Sequence, residues 1–395
     1  MSAGLKLTLV KGRDVPVRFG HPWIFSGALA QIPENAGASQ ADIFSSRGEM
    51  LGQGFYTPHA RLAIRMLSQA GEPAFSAATI HGRLAAAISR RSRLFSGVNN
   101  AARLVFAESD FLPGLVVDQF DTVLSVQFNS AFAEHYRKEI MTELHELLQP
   151  KDIFDTSDNE ARNREGLKPV RRINNAEETS ILCDGMRYAT HIGAGQKTGF
   201  YLDQRTNRAA VAQYAAGRRV LDAFCYSGGF SLACAKAGAA AVTAIDSSTD
   251  ALALLKRNLE LNATDFNPDT PVKPIQADVF DELRKLKATG EKYDLIVLDP
   301  PKLAPSRSKA AAAEKAYKDL NLQALQLAAP GALLATFSCS GAMTFDKLRQ
   351  VLHYAAHDAG KQLQILQPLM QAEDHPVLLA FPESEYLRGY LCRVY

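Results

Sequence analysis

The residues with the clearest chemical potential are a cysteine and an aspartate, each of which follows a short apolar run. Asp299 comes directly before Pro300 and Pro301, and Cys339 lies between two serines. Two consecutive prolines remove backbone donors and fix an extended loop, so Asp299 is held rigidly enough to hydrogen-bond the edge of a nucleobase. A thiol can act as a nucleophile because it ionises near neutral pH, although a cysteine after a strand is more often a small buried hydrophobe. This pair therefore predicts covalent chemistry on a base.

Three further carboxylates follow apolar runs: Asp222, Asp246 and Asp278. Asp246 follows the second of these runs, where a carboxylate can bind both hydroxyls of a ribose. Asp278, followed by Val279, can accept a hydrogen bond from an adenine amino group. Each carboxylate alone could be a helix N-cap or a solvated loop residue. Together and in order they indicate a nucleoside with a positively charged substituent, and S-adenosylmethionine is such a ligand.

A turn of small residues follows Asp222 and contains Cys225, Gly228 and Gly229. Glycines at the start of a helix allow a ligand to approach the backbone closely. The dinucleotide fingerprint Gly-x-Gly-x-x-Gly is absent, so the turn lacks a good pyrophosphate cradle and a nicotinamide cofactor is disfavoured.

The elements that position these residues alternate between short apolar strands and amphipathic helices over residues 193–395. This alternation predicts a parallel sheet with helices on both faces, and ligands on such sheets bind at the carboxyl ends of the strands. Residues 1–75 have short alternating segments broken by Gly and Pro, which indicates a small β-rich module. Residues 76–192 mix strands and helices, which indicates an α+β middle domain.

Composition excludes several classes of protein. The chain has 395 residues, of which 47% are hydrophobic and 22% charged, with a net charge of only +2, so disorder and a basic tail are excluded. No apolar run reaches the ~18 residues needed to span a bilayer, and the N-terminus does not resemble a secretion signal, so we expect a cytoplasmic protein. The five cysteines lack metal-ligand spacing, which argues for reduced thiols and no metal.

Two basic stretches could bind RNA phosphates. Arg90, Arg91 and Arg93 lie in a predicted helix over residues 76–93, and a predicted basic loop covers residues 159–172. Such residues can neutralise phosphates, but an exposed helix face and a solvated loop are the plainer interpretations.

At these residues the chain resembles the class I S-adenosylmethionine-dependent methyltransferases, and more closely the bacterial large-subunit ribosomal RNA cytosine-C5 methyltransferases that carry an N-terminal PUA domain. The resemblance covers essentially the whole chain and is most specific at residues 195–201 and at Ser338-Cys339-Ser340. The motifs that carry it are residues 20–25, 108–118, 195–205, 299–302 and 338–340.

The resemblance implies a PUA domain (1–75), a small α+β linking domain (76–192) and a Rossmann-like α/β catalytic domain (193–395). It implies large-subunit ribosomal RNA as the substrate, with Lys302 at the base site beside Pro300 and Pro301. The residues that it places around S-adenosylmethionine are Thr198, Phe200, Asp203, Gln204, Asp222, Cys225, Gly228, Gly229, Asp246, Asp278 and Val279.

Two other functions stay open at this point. An N-methyltransferase acting on a ribosomal RNA purine would use Asp299-Pro300-Pro301 to bind the amine and would need no thiol. A non-catalytic RNA-binding factor could retain a cofactor fold. The oligomeric state is also open, with a homodimer among the alternatives.

Overall fold

The computed structural model describes residues 5–33, 35–170, 178–192, 199–264, 270–303 and 310–395. Their contacts form two compact units. The first contains Met1–Ile181, Thr190–Leu202 and Asp374–Ser384, and the second contains Leu182–Ala189, Asp203–Glu373 and Glu385–Tyr395.

The strands are β1 (Leu5–Thr8), β2 (Trp23–Phe25), β3 (Ser39–Phe44), β4 (Met50–Tyr56), β5 (Leu62–Gln69), β6 (Ala101–Phe106), β7 (Leu115–Phe120), β8 (Val123–Phe128), β9 (Asp152–Asp155), β10 (Glu178–Cys183), β11 (Met186–His191), β12 (Arg219–Ala223), β13 (Ala241–Asp246), β14 (Val272–Gln276), β15 (Tyr293–Leu298), β16 (Ala328–Ser338), β17 (Leu363–Met370) and β18 (Arg388–Val394). The α-helices are α1 (Val15–Arg18), α2 (Ala77–Arg91), α3 (Ala131–His135), α4 (Arg137–Leu148), α5 (Asn159–Arg164), α6 (Arg205–Ala212), α7 (Gly229–Lys236), α8 (Thr249–Leu261), α9 (Val279–Ala288), α10 (Ala310–Leu327) and α11 (Phe345–Asp358).

The first unit contains two sheets. One has the order β1-β3-β4-β5-β2, and the other has the order β6-β7-β8-β9. Helix α2 begins at a capping box formed by Ser76 and Thr79, and its apolar stripe joins residues of both sheets in one hydrophobic cluster. The predicted boundary after residue 75 falls inside this unit, so the three-domain division stays a prediction.

The expectation that Arg91 binds phosphate is wrong. Its guanidinium is buried and donates two hydrogen bonds of 2.7 Å to the buried Asp110, and a third of 3.1 Å to the carbonyl of Asp374. Removing a charge from water is expensive unless it is paired in this way, so Arg91 stabilises the core. Arg90 and Arg93 are exposed, and Arg90 also pairs with Asp110.

The predicted basic loop over residues 159–172 begins instead as helix α5, which Asp158 caps. Arg162 is buried and donates to the backbone carbonyls of Phe128 and Lys168 and to the carboxylate of Glu134. The guanidinium of Arg162 is therefore held by hydrogen bonds within the protein. Arg164, in contrast, is exposed beside Glu160. Residues 171–172 lie outside the described residues.

The second unit is built on one sheet with the order β14-β13-β12-β15-β16-β18-β17. The pairs from β14 to β16 are parallel, whereas β18 runs antiparallel between β16 and β17. Hydrophobic clusters cover both faces, which is why the strands are nearly continuously apolar. The predicted Rossmann-like α/β architecture is therefore confirmed. Among the described helices, none is long and apolar enough to cross a membrane.

The buried pair between Arg91 and Asp110 gives the first prediction. Arg91→Ala leaves the buried Asp110 carboxylate with only the exposed Arg90 and the Phe106 N–H as partners, so the free energy of unfolding in urea should fall by about 3 kcal/mol. Arg90→Ala, the matched control, removes the exposed member and should cost less than about 1 kcal/mol. An Arg91→Ala variant as stable as the wild type but weaker in RNA binding would restore its role as a phosphate contact.

Candidate active site

The carboxyl ends of five neighbouring strands bring most of the predicted residues to one edge of the sheet. Parallel pairing aligns Ala223 with Leu298, and Leu298 in turn with Thr336. On the other side of β12, Asp246 pairs with Gln276. The carboxylates at or just beyond the ends of β12, β13, β14 and β15 and the cysteine after β16 therefore share this edge, as expected from the sequence.

Asp222 is the most deeply buried of these carboxylates. Its side chain is 1% exposed, and one oxygen accepts a hydrogen bond of 2.6 Å from the Ser231 hydroxyl. The other oxygen, Oδ1, is buried and has no partner among the described residues. Burial raises the pKa of Asp222 to about 6, and the charge of Asp246 adds to the effect. A cationic group beside Oδ1 would offset the cost of this charge.

Asp246 ends β13 and is held by backbone donors. Its two oxygens accept hydrogen bonds of 2.9 Å from the N–H groups of Tyr226 and Ser248. An ionised carboxylate has about four acceptor positions, so acceptors remain for the hydroxyls of a ribose. The side chain is partly exposed and thus within reach of a ligand.

Asp278 caps helix α9, with its side chain accepting from the Asp281 N–H at 3.1 Å. Asp278 is therefore a helix N-cap, which was the simpler interpretation of this residue. Because it is exposed, an oxygen also stays accessible to an adenine amino group. Val279 does not offer its side chain to a ligand, because that side chain is 3% exposed and packs in the hydrophobic core. Its backbone N–H, at the first position of the helix, has no intrahelical acceptor.

The glycines of the turn lie where the fold leaves little room for a side chain. Gly228 has a φ of +85°, and a Cβ there would lie 2.1 Å from Leu255 Cδ1. A Cβ on Gly229 would lie 3.1 Å from the side chain of Arg208. Packing within the fold thus already favours glycine at both positions, and the expectation that they also let a ligand approach the backbone stays a prediction.

Cys225 lies in the same turn and is buried. Burial raises the pKa of its thiol, and the charges of Asp222 and Asp246 raise it further. This thiol therefore stays protonated and serves as part of the turn.

Asp203 and Gln204 precede helix α6 in the same unit. Asp203 accepts a hydrogen bond of 2.5 Å from the hydroxyl of Tyr386. Tyr386 comes just before β18, and the first residue of β18, Arg388, pairs with Ser338. Asp203 Oδ1 and Gln204 Nε2 are buried without a partner among the described residues. Phe200 is buried in the other compact unit, and Thr198 lies outside the described residues.

Cys339 and the Asp299-Pro300-Pro301 loop lie side by side. The Cys339 Sγ is 3.9 Å from the carbonyl oxygen of Pro300, and the Asp299 N–H donates to the carbonyl of Ala223 at 3.4 Å. Asp299 and Cys339 are both partly exposed, whereas Pro301 and Lys302 are exposed at the rim.

Tyr317 is a site residue that the sequence did not reveal. It projects from α10, is 0% exposed, and its hydroxyl accepts a hydrogen bond of 2.9 Å from Ser338 Oγ. Burial raises its pKa to about 12, the charges of Cys339 and Asp299 contribute, and a backbone hydrogen bond from Leu303 opposes the rise. Tyr317 thus joins the end of β16 to the segment that follows Asp299. An isolated tyrosine in a helical pattern carries no sign of such a role.

This arrangement fits S-adenosylmethionine. The unpartnered oxygens of Asp222 and Asp203 suit an ammonium group, and the unpartnered amide of Gln204 suits a carboxylate. Within the described residues, no three His, Cys, Asp or Glu side chains are grouped as metal ligands.

Comparisons with known proteins agree with this fit. Residues 172–367 match the model of an S-adenosylmethionine-dependent methyltransferase, and residues 7–69 match a PUA-like domain. The chain is 39% identical over 396 residues to ribosomal RNA large subunit methyltransferase I of Yersinia pestis bv. Antiqua (strain Angola), with 99% of each protein covered. The chain belongs to this methyltransferase family.

Further comparisons support the same assignment. The protein of that name from Yersinia pseudotuberculosis serotype O:1b (strain IP 31758) is 38% identical, again with 99% of each chain covered. The structure of SMU.776 in complex with SAH shares the fold, with a TM-score of 0.84 and 20% identity over 98% of this chain and 100% of that one. The match to the S-adenosylmethionine-dependent methyltransferase model confirms the predicted cofactor.

Asp222 gives the prediction for this site. Asp222→Asn keeps the side-chain shape but removes the charge, so S-adenosylmethionine affinity measured by calorimetry should fall about 10- to 100-fold, as for a charge-assisted hydrogen bond. Because the raised pKa means that folding disfavours the charged form, the same variant should be at least as thermally stable as the wild type at neutral pH. Wild-type affinity should likewise weaken as the pH falls below about 6.

The matched control is Asp294→Asn, because Asp294 lies near the start of β15 and accepts from the Arg219 N–H at 2.9 Å. It lies away from the carboxyl edge and should leave cofactor affinity unchanged. Equal affinity of wild type and Asp222→Asn at neutral pH would remove Asp222 from the cofactor site.

Proposed function

We propose that this chain transfers a methyl group from S-adenosylmethionine to carbon 5 of a cytosine in large-subunit ribosomal RNA. The family supports the RNA substrate, because its relatives are named for large-subunit ribosomal RNA. The carbon chemistry rests on Cys339.

One observation carries this choice. Of the five cysteines, all within the described residues, Cys339 alone is partly exposed. Burial raises the thiol pKa of Cys225 and Cys234, and raises that of Cys392 to about 12. Cys183 is also buried. Cys339 is therefore the thiol that a base at the sheet edge could reach, and it lies beside the Asp-Pro-Pro loop.

A thiol is needed because carbon 5 of cytosine is too weak a nucleophile to attack a sulfonium methyl group unaided. The Cys339 thiolate adds to carbon 6, and the resulting enamine carries electron density at carbon 5. Bound S-adenosylmethionine supplies the electrophilic methyl group. After transfer, a base takes the carbon-5 proton, the electrons re-form the ring double bond, and the thiolate leaves carbon 6.

Asp299 is proposed to hold the N3 and N4 edge of the cytosine and to support the charge that reaches the ring. Pro300 and Pro301 keep this carboxylate in place, because neither residue can donate a backbone hydrogen bond or rotate freely about φ. Lys302, exposed at the rim, is proposed to contact the RNA beside the target base.

The rest of the chain is proposed to hold the RNA. In this proposal residues 1–75 form the PUA-like RNA-binding domain, residues 76–192 link it to the catalytic domain, and residues 193–395 catalyse. Arg90 and Arg93 stay as proposed phosphate contacts, since both are exposed.

Cys339→Ala provides the decisive test. The variant should bind S-adenosylmethionine like the wild type and lose methyl transfer to ribosomal RNA by roughly 10³-fold or more, measured with tritium-labelled cofactor. The matched control is Cys234→Ala, which removes a buried thiol from α7 and should keep transfer. Full activity of Cys339→Ala would reject carbon methylation and favour transfer to a ring or exocyclic nitrogen.

A trapping experiment tests the covalent step separately. RNA with 5-fluorocytidine at the target has no proton to lose from carbon 5, so the adduct cannot collapse after methyl transfer. Wild type and Cys234→Ala should give a denaturation-resistant protein–RNA complex that depends on S-adenosylmethionine, and Cys339→Ala should give none. A complex formed equally by Cys339→Ala would assign the nucleophile to another residue.

A further inference from the structure

The PUA-like sheet contains a cavity of about 340 Å³ that the methyl-transfer chemistry does not use. It lies between the turn that follows β2 and the loop that joins β4 to β5. Backbone hydrogen bonds fix this geometry, since the Ser26 N–H donates to the Arg61 carbonyl at 2.9 Å and the Thr57 N–H donates to the Ala63 carbonyl at 2.8 Å. The volume lies within the range of pockets that bind small ligands, roughly 300–1,000 Å³.

Most polar side chains of this cavity form no hydrogen bond or ion pair with another described residue. Tyr56 is 1% exposed, yet no hydrogen bond joins its hydroxyl to another described residue. The side chains of Ser26, His59 and Arg61 are likewise without a hydrogen bond or ion pair within the described part of the chain. These groups border the cavity, so their hydrogen-bonding capacity is available to a molecule that enters it.

The remaining lining is apolar and carries no acidic side chain. Leu29, Ile32, Ala60 and Ala63 contribute hydrocarbon surface, and Ile32 is 53% exposed. The hydroxyl of Thr57 is already engaged by Glu165 at 3.3 Å. The cavity therefore offers apolar walls, hydroxyls and an imidazole for polar edges, and a guanidinium, Arg61, for an anion.

We propose that this cavity binds one unpaired nucleotide of the RNA substrate, with the base between the apolar walls and its phosphate on Arg61. The chemistry selects this occupant, because a nucleotide combines a planar apolar face, hydrogen-bonding edges and an adjoining negative charge. The inference rests on the proposed function for the presence of RNA. It adds a second point of recognition, away from the base that is methylated.

The test measures binding of a short fluorescein-labelled single-stranded RNA of mixed sequence, and of the same RNA as a duplex, by anisotropy. Arg61→Ala should weaken single-strand binding about tenfold and lower the salt dependence by about one phosphate contact. Tyr56→Phe removes only the hydroxyl and should weaken it about threefold to tenfold. Duplex binding should change little, because a paired base cannot enter the cavity.

The matched control is Arg47→Ala. Arg47 is an exposed cation in the turn between β3 and β4, at the opposite end of that hairpin from the pair of Ser39 with Tyr56. It should bind both RNAs like the wild type. Unchanged single-strand binding in Arg61→Ala and Tyr56→Phe would overturn the proposal, and so would equal losses for single strand and duplex, which would indicate a phosphate patch alone.

A second chain copy is the competing occupant. If Ile32→Asp converts a wild-type dimer to a monomer in sedimentation while RNA affinity stays unchanged, the cavity is a self-association surface and the proposal is rejected. Failure of the proposed function gives a different result. In that case wild type binds single-stranded RNA through the cavity but transfers no labelled methyl group to ribosomal RNA.

Discussion

Parallel pairing of neighbouring strands in the second unit is the constraint on which the candidate site depends. Backbone hydrogen bonds align the ends of β12, β15 and β16, so residues far apart in the chain arrive at one edge. Asp299 and Cys339 leave that edge from adjacent strands, and the thiol lies 3.9 Å from the Pro300 carbonyl. The hydrophobic clusters on both faces stabilise the sheet and therefore hold the reactive groups in position as well.

Electrostatics divides this edge into two parts. Around β12 and β13, Asp222 and Asp246 create an acidic environment that favours a cation. Burial raises the pKa of the Cys225 thiol there, and the charges of these two carboxylates add to the rise. A nucleophilic thiolate would be suppressed there. Cys339 directly follows β16, which lies two strands away from β12, with β15 and Asp299 between the two parts. The strand order thus separates the groups that suit a sulfonium cofactor from the thiol that is proposed to ionise.

The sequence was sufficient for the strand–helix alternation and the strand-end residues, because both are local patterns. Arg91 could also have been interpreted correctly, since it follows Ile80, Leu84 and Ala87 at helical spacing and so belongs to the buried stripe of α2. The insertion of β18 between β16 and β17 could not be predicted, because pairing between distant segments leaves no local pattern. The positive charge of Arg91 suggested an exposed side chain. The side chain is buried instead, because it pairs with the buried carboxylate of Asp110.

Tyr317 shows why the geometry of the candidate nucleophile is set by the core and not by its loop. Its buried oxygen accepts a hydrogen bond from Ser338 Oγ and interacts with the backbone of Leu303. Tyr317 in α10 therefore contacts both the end of β16 and the segment that follows Asp299. A pKa raised to about 12 keeps this hydroxyl neutral whenever Cys339 or Asp299 is charged. The Tyr317 hydroxyl therefore stays uncharged when the Cys339 thiol ionises. Groups held by such a packed shell need little reorganisation when a substrate arrives.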